Sequence, residues 1–214
     1  LSLMSDTIFK GDLLLPRASL ITDNKAKLTG SVYVGGELLD IGSHNTITGL
    51  IYAPNAEFKS GYGTNIFGDI VLGRDVILNG TILDGSLYAL NRDGTVEFNG
   101  NRENTLNLTT KVYSQGNRLS LSAHFKGEVH LSNKSAELVI NSGSTFDGVV
   151  YSAGNYISTK NGSTFTGFIY STNTESRIEV LGGSGTHGSI ISAGESIKIQ
   201  GGSAVMKGII YAPD

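Results

Sequence analysis

The chain has no cysteine, no tryptophan and only 3 prolines in 214 residues. The missing cysteine excludes disulfides and thiolate metal sites, and leaves the compartment open. Charge is also sparse. Charged residues make up 16% of the chain, the net charge is −3, and the 16 basic residues are scattered, so no nucleic-acid backbone announces itself as the main partner. No apolar run reaches the length of a membrane span, no secretory signal is visible, and helix formers never gather into an amphipathic stretch. The opening Leu1-Ser2-Leu3-Met4 reads as the start of a processed product or of a fragment.

What is present is 29 glycines with evenly spread Val, Ile, Thr and Tyr, a composition of short strands punctuated by turns. The phrase Gly148-Val149-Val150-Tyr151-Ser152 recurs nineteen residues later as Gly167-Phe168-Ile169-Tyr170-Ser171. Equivalent glycines stand at 11, 30, 49, 68, 85, 127, 148, 167, 188 and 208, with Thr110 in the one vacancy, at spacings of 17 to 25. Two residues after this anchor the column is aliphatic eleven times out of eleven, from Leu13 and Val32 to Ile190 and Ile210. Two residues before it the column is apolar in all but Thr186.

This is the period-two pattern of strands with one buried face. A second apolar patch follows, at Leu39 with Ile41, Ile77, Leu119 with Leu121, Leu138 with Ile140, Ile178 with Val180, and Ile197 with Ile199. Turn formers between the patches include Gly36, Asn55, Gly116, Asn133, Gly154, Asn173 and Gly194. No single repeat can bury its own apolar face, but stacked copies line a common core. The pattern predicts an all-β fold: one single-stranded β-solenoid domain over 1–214, about ten rungs of 19–21 residues, some 48 Å long at ~4.8 Å per rung. A protruding loop is expected near 91–105.

Three residues after the anchor the side chain must point outward. That column holds Tyr33, Tyr52, Tyr88, Tyr113, Tyr151, Tyr170 and Tyr211, seven of the nine tyrosines, with Val71, His130 and Ile191 between. Neighbouring-strand aromatics stabilise one another by roughly 0.2–1 kcal/mol per pair, so the ladder has a structural use. An exposed aromatic stripe can also receive another domain, a packed subunit or a glycan. These tyrosines are the candidate binding residues, and Asn101, Arg102 and Glu103 of the loop are candidate contacts.

Chemistry is not visible. Asp12 and Asp69 share a column three rungs apart, ~14 Å, too far for a paired acid and base. Asp69 and Asp84 occupy different columns, and His44, His124, His130 and His187 read as solvated or corner residues. No calcium, phosphate-loop or nucleophile-elbow motif occurs. The expectation is a non-enzymatic protein with no cofactor, metal or catalytic residue.

Two resemblances follow from particular phrases. Gly49-Leu50-Ile51-Tyr52-Ala53-Pro54-Asn55-Ala56, Phe67-Gly68-Asp69-Ile70-Val71, Val76-Ile77-Leu78-Asn79-Gly80 and the closing Gly208-Ile209-Ile210-Tyr211-Ala212-Pro213-Asp214 resemble the β-helical domains of bacterial type IV pilus minor pilins and related pilus-assembly proteins. The resemblance implies a right-handed coil and an extracellular display or adhesion module. Its partners would be other pilus subunits, flanking domains, a surface glycan or DNA, with no membrane contact by this segment. Pilins begin with a long apolar helix that this chain lacks, so the resemblance also implies a longer parent protein. Gly11-Asp12-Leu13 and Gly68-Asp69-Ile70 are similar to bactofilin rungs, which implies as the alternative a cytoplasmic scaffold that self-associates end to end. A polysaccharide-active β-helix enzyme is the third reading.

Overall fold

The computed structural model describes residues 1–100, 105–181, 183, 185–201 and 205–212. Among these residues there is no helix, and short parallel strands stack into a β-solenoid of about ten turns. A typical early coil, the second, contributes Leu20–Thr22, Lys27–Thr29 and Val32–Val34 to a first, second and third sheet. The first sheet has eleven strands, the second five and the third twelve.

Register explains why the sequence columns exist. Leu39 pairs with Leu20 and Phe58, and Ile51 pairs with Val32 and Ile70, so each column repeats one position of successive coils. Inward columns are fully buried, including Leu28, Ile47, Ile66 and Leu83 along the second sheet. Burying a side chain of this size contributes roughly 1.5–3 kcal/mol, and no coil achieves that without its neighbours.

The anchor glycines form the corner between the second and third sheets. At Gly49, φ is +136° and an added Cβ would lie 2.4 Å from the Gly30 carbonyl oxygen; at Gly167, φ is +125° and the distance to the Gly148 oxygen is 1.8 Å. Backbone meets backbone there, and no side chain fits. Thr110 fills the vacancy without a left-handed backbone, and its buried hydroxyl donates to the Leu83 carbonyl at 2.7 Å.

The corner between the first and second sheets was not distinguished by sequence. It places Asp6, Lys25 and His44 at φ 61°, 62° and 57°, followed in the same column by Gly63 and Gly80. His44 is thus a corner residue, as expected.

The later coils are built differently. Through the fifth coil the second and third sheets have separate strands, such as Ile82–Asp84 and Ser86–Ala89. From the sixth to the tenth coil these merge into single strands, Thr105–Ser114, His124–Leu131, Thr145–Ser152, Thr164–Ser171 and Gly185–Ser192. The core of this half contains a stack of Phe125, Phe146 and Phe165, with centroids 5.2 and 5.0 Å apart.

Two local expectations change. Ile77 is not inward: the short fifth coil shifts the strand by one position, so Val76 and Leu78 are buried and Ile77 faces out between Lys59 and Glu97. Thr95–Asn99, inside the stretch read as a loop, is a strand of the first sheet, in register with Val76–Asn79 and Arg118–Ser122. Asn101, Arg102 and Glu103 lie outside the described residues.

Candidate binding face

The third sheet carries the candidate site. Its strands alternate, so the residues one and three positions after each anchor point away from the core. Register places Leu14, Tyr33, Tyr52, Val71, Tyr88, Tyr113, His130, Tyr151, Tyr170, Ile191 and Tyr211 in one column. All seven predicted tyrosines are therefore on one face. Leu14, which the sequence reading left out, extends the column to the first coil.

The rings do not form one continuous row. Tyr33 and Tyr52 stack at 4.9 Å, and Val71 then interrupts the series. Beyond it Tyr88, Tyr113, His130, Tyr151 and Tyr170 stack in sequence, with centroids 5.0, 4.7, 4.7 and 5.4 Å apart and planes within 6° to 18° of parallel. Ile191 separates Tyr211 from this stack. Strand spacing alone dictates a ring separation near 5 Å. In such a stack each inner ring has a neighbour on both faces, so edges and phenolic hydroxyls are what reach solvent. Tyr151 remains 43% exposed.

The adjacent outward column changes character along the axis. Lys111 and Glu128 pair at 3.5 Å, and Glu128 also lies 3.3 Å from His130 Nε2. In the next two coils the same positions hold Val149 and Phe168, the latter with its ring 6.2 Å from that of Tyr170.

On the other side of the ring column the chain turns toward the first sheet. A depression of about 260 Å³ runs along this turn, walled by His130, Tyr151 and Tyr170 and floored by Ser132, Ala153 and Thr172. It adjoins a second, of about 430 Å³, lined by Arg92, Gln115, Ser132, Asn133 and Lys134. The Asn133 amide nitrogen lies within hydrogen-bond distance of the Arg92 carbonyl, the Gln115 carbonyl and Asn117 Oδ1, tying three coils together at this corner. In the sequence Asn133 reads only as a turn former. Its cross-coil contacts, and the groove beside it, depend on register and had no signal in any one repeat.

The first sheet offers a third hollow, of about 580 Å³, bordered by Glu137, Tyr156, Glu175, Arg177 and Glu195. Part of its lining is engaged: Tyr156 donates to Glu179 at 2.6 Å and Arg177 to Glu195 at 3.0 Å. Burial, and then the hydrogen bond to Glu179, push the Tyr156 hydroxyl above its ordinary pKa.

The acids and histidines singled out in the sequence are dispersed or engaged. Asp12 and Asp69 each accept the backbone N–H of the next coil, from Ser31 and Ser86 at 2.8 Å. His124 bonds Thr145 of the neighbouring coil, away from His130 in the ring stack. Among the described residues no cluster of three His, Asp or Glu could hold a metal, and no helix is long and apolar enough to cross a membrane.

Fold and face together define a β-solenoid rod with one aromatic side. Compared with protein-family models, curated proteins and solved structures, the chain matches none.

Proposed function

We propose that this chain is a rigid, non-enzymatic display module of a bacterial cell surface, associated with a type IV pilus or a related structure, and that its ring-bearing face attaches to a surface glycan. The observation that supports this reading is the run of five stacked rings from Tyr88 to Tyr170, left open along a groove on a stiff scaffold. A preorganised face loses little freedom on binding, which favours attachment through many weak polar contacts.

The test pairs a glycan array with the double variant Tyr151→Ser/Tyr170→Ser. Wild type is expected to retain glycans, and the variant to lose at least tenfold in affinity while remaining folded. Binding of DNA or a surface protein in place of any glycan would reassign the partner. Sedimentation of the full-length protein tests the alternative, since filaments growing end to end would replace display by a polymer-forming scaffold.

A further inference from the structure

We propose that the groove beside the ring stack selects an acidic polysaccharide, a chain bearing carboxylate or sulfate groups. The proposal rests on the glycan-binding reading above and names the class of glycan. Three observations lead to it.

The first is the orientation of the rings. His130 lies between Tyr113 and Tyr151 with centroids 4.7 Å away on both sides, and Tyr151 lies between His130 and Tyr170. Neutral-sugar platforms and single-stranded nucleic-acid platforms both work by presenting ring faces, against which a sugar or base lies flat. Here the inner faces are already covered by other rings. What the wall presents is a row of ring edges at a spacing near 5 Å, a mostly apolar rail along which an extended chain can lie.

The second is charge. The groove continues from the rings into the corner containing Arg92 and Lys134, both exposed. Among the described residues neither takes part in an ion pair. Glu128 lies across the ring column from the groove and is engaged with Lys111 and His130; Asp93 is the one acid adjacent to Arg92 in sequence. The ring end of the groove is mostly apolar, and two exposed cations beside the Gln115 and Asn133 amides at its other end are complementary to an anion.

The third is shape and rigidity. Arg92 follows the fifth coil and Thr172 the ninth, so the groove extends over four coil spacings, ~19 Å, room for several sugar units in a row. Ser132, Ala153 and Thr172 keep its floor low, and Asn133 holds the cationic end across three coils.

The experiment uses an array of acidic glycans, each printed beside its neutral counterpart, including oligogalacturonate and its methyl ester. Wild type is expected to prefer the acidic member at least tenfold, with a preference that weakens as salt rises. Arg92→Ala/Lys134→Ala is expected to abolish that preference with no change in melting temperature, while Lys198→Ala on the first sheet leaves it intact. Equal retention of acidic and neutral members overturns the acidic assignment but leaves glycan binding standing. Retention of no glycan overturns both. Preference that survives Arg92→Ala/Lys134→Ala, or is lost equally in Lys198→Ala, also overturns the site.

Discussion

Strands His124–Leu131, Thr145–Ser152 and Thr164–Ser171 each carry two aromatic ladders, one on each side of the sheet. Inside, Phe125, Phe146 and Phe165 stack at 5.2 and 5.0 Å; outside, His130, Tyr151 and Tyr170 stack at 4.7 and 5.4 Å. The geometry is nearly the same, because both ladders inherit the strand spacing. Their surroundings differ completely. The phenylalanines are at most 2% exposed and filled in by other coils, whereas Tyr151 is 43% exposed. Stacking by itself is therefore a property of parallel register and no sign of a site. What distinguishes the outer ladder is that it forms one wall of a groove whose other end is cationic.

Substitutions can break this comparison in order of effect. Ile169→Asp, between the two ladders, places an unpaired charge where the side chain is 1% exposed, and is expected to cost more than ~4 kcal/mol. Loss of the cooperative unfolding transition would show it, with the coils around residue 169 exchanging amide hydrogens first. Phe146→Ala empties the centre of the inner stack and is expected to cost ~3–5 kcal/mol in a denaturant titration. Tyr151→Ser/Tyr170→Ser removes three outer ring contacts at roughly 0.2–1 kcal/mol each, a fall of only a few degrees in melting temperature. An outer loss as large as the inner one would erase the distinction between the two ladders.

The smallest effect concerns a tyrosine outside both. Tyr156 has its pKa raised in the folded state, so its contribution is complete below the unfolded value near 10 and is lost as pH rises through the raised one. Tyr156→Phe is expected to cost on the order of 0.5 kcal/mol at neutral pH, because the pair is half-exposed and screened. It should also flatten the fall in urea midpoint between pH 9 and 11, and an unchanged slope would assign that fall to other groups.

Much of this was legible because a solenoid writes its register into its repeat length. The aliphatic column after the anchor and the tyrosine column beside it are read directly, since each is a fixed offset from an anchor that is glycine at every coil but the one holding Thr110. Offsets that cross a corner were less secure. The short fifth coil moved Ile77 from the inside to the outside, because one residue fewer in the turn reverses the strand that follows, until a second shortening restores the phase at Leu83. The strand Thr95–Asn99 was hidden for a related reason, as its anchor position holds Thr110 at an irregular spacing. The groove was not legible at all. Ser132, Ala153 and Thr172 are unremarkable one by one, and become a floor only when three coils lie side by side.

The corner glycines have a consequence for how such a rod can change length. Each fits against the backbone of its predecessor and makes no demand on position along the axis. A whole coil could be duplicated or removed with the backbone ladder and the corner contact restored in kind, provided nineteen or so residues enter or leave together. The length of the rod would then vary in steps of ~4.8 Å. A single inserted residue within a strand would instead turn ring and core positions inside out. Length in this molecule is a digital quantity, and the glycine column is its counter.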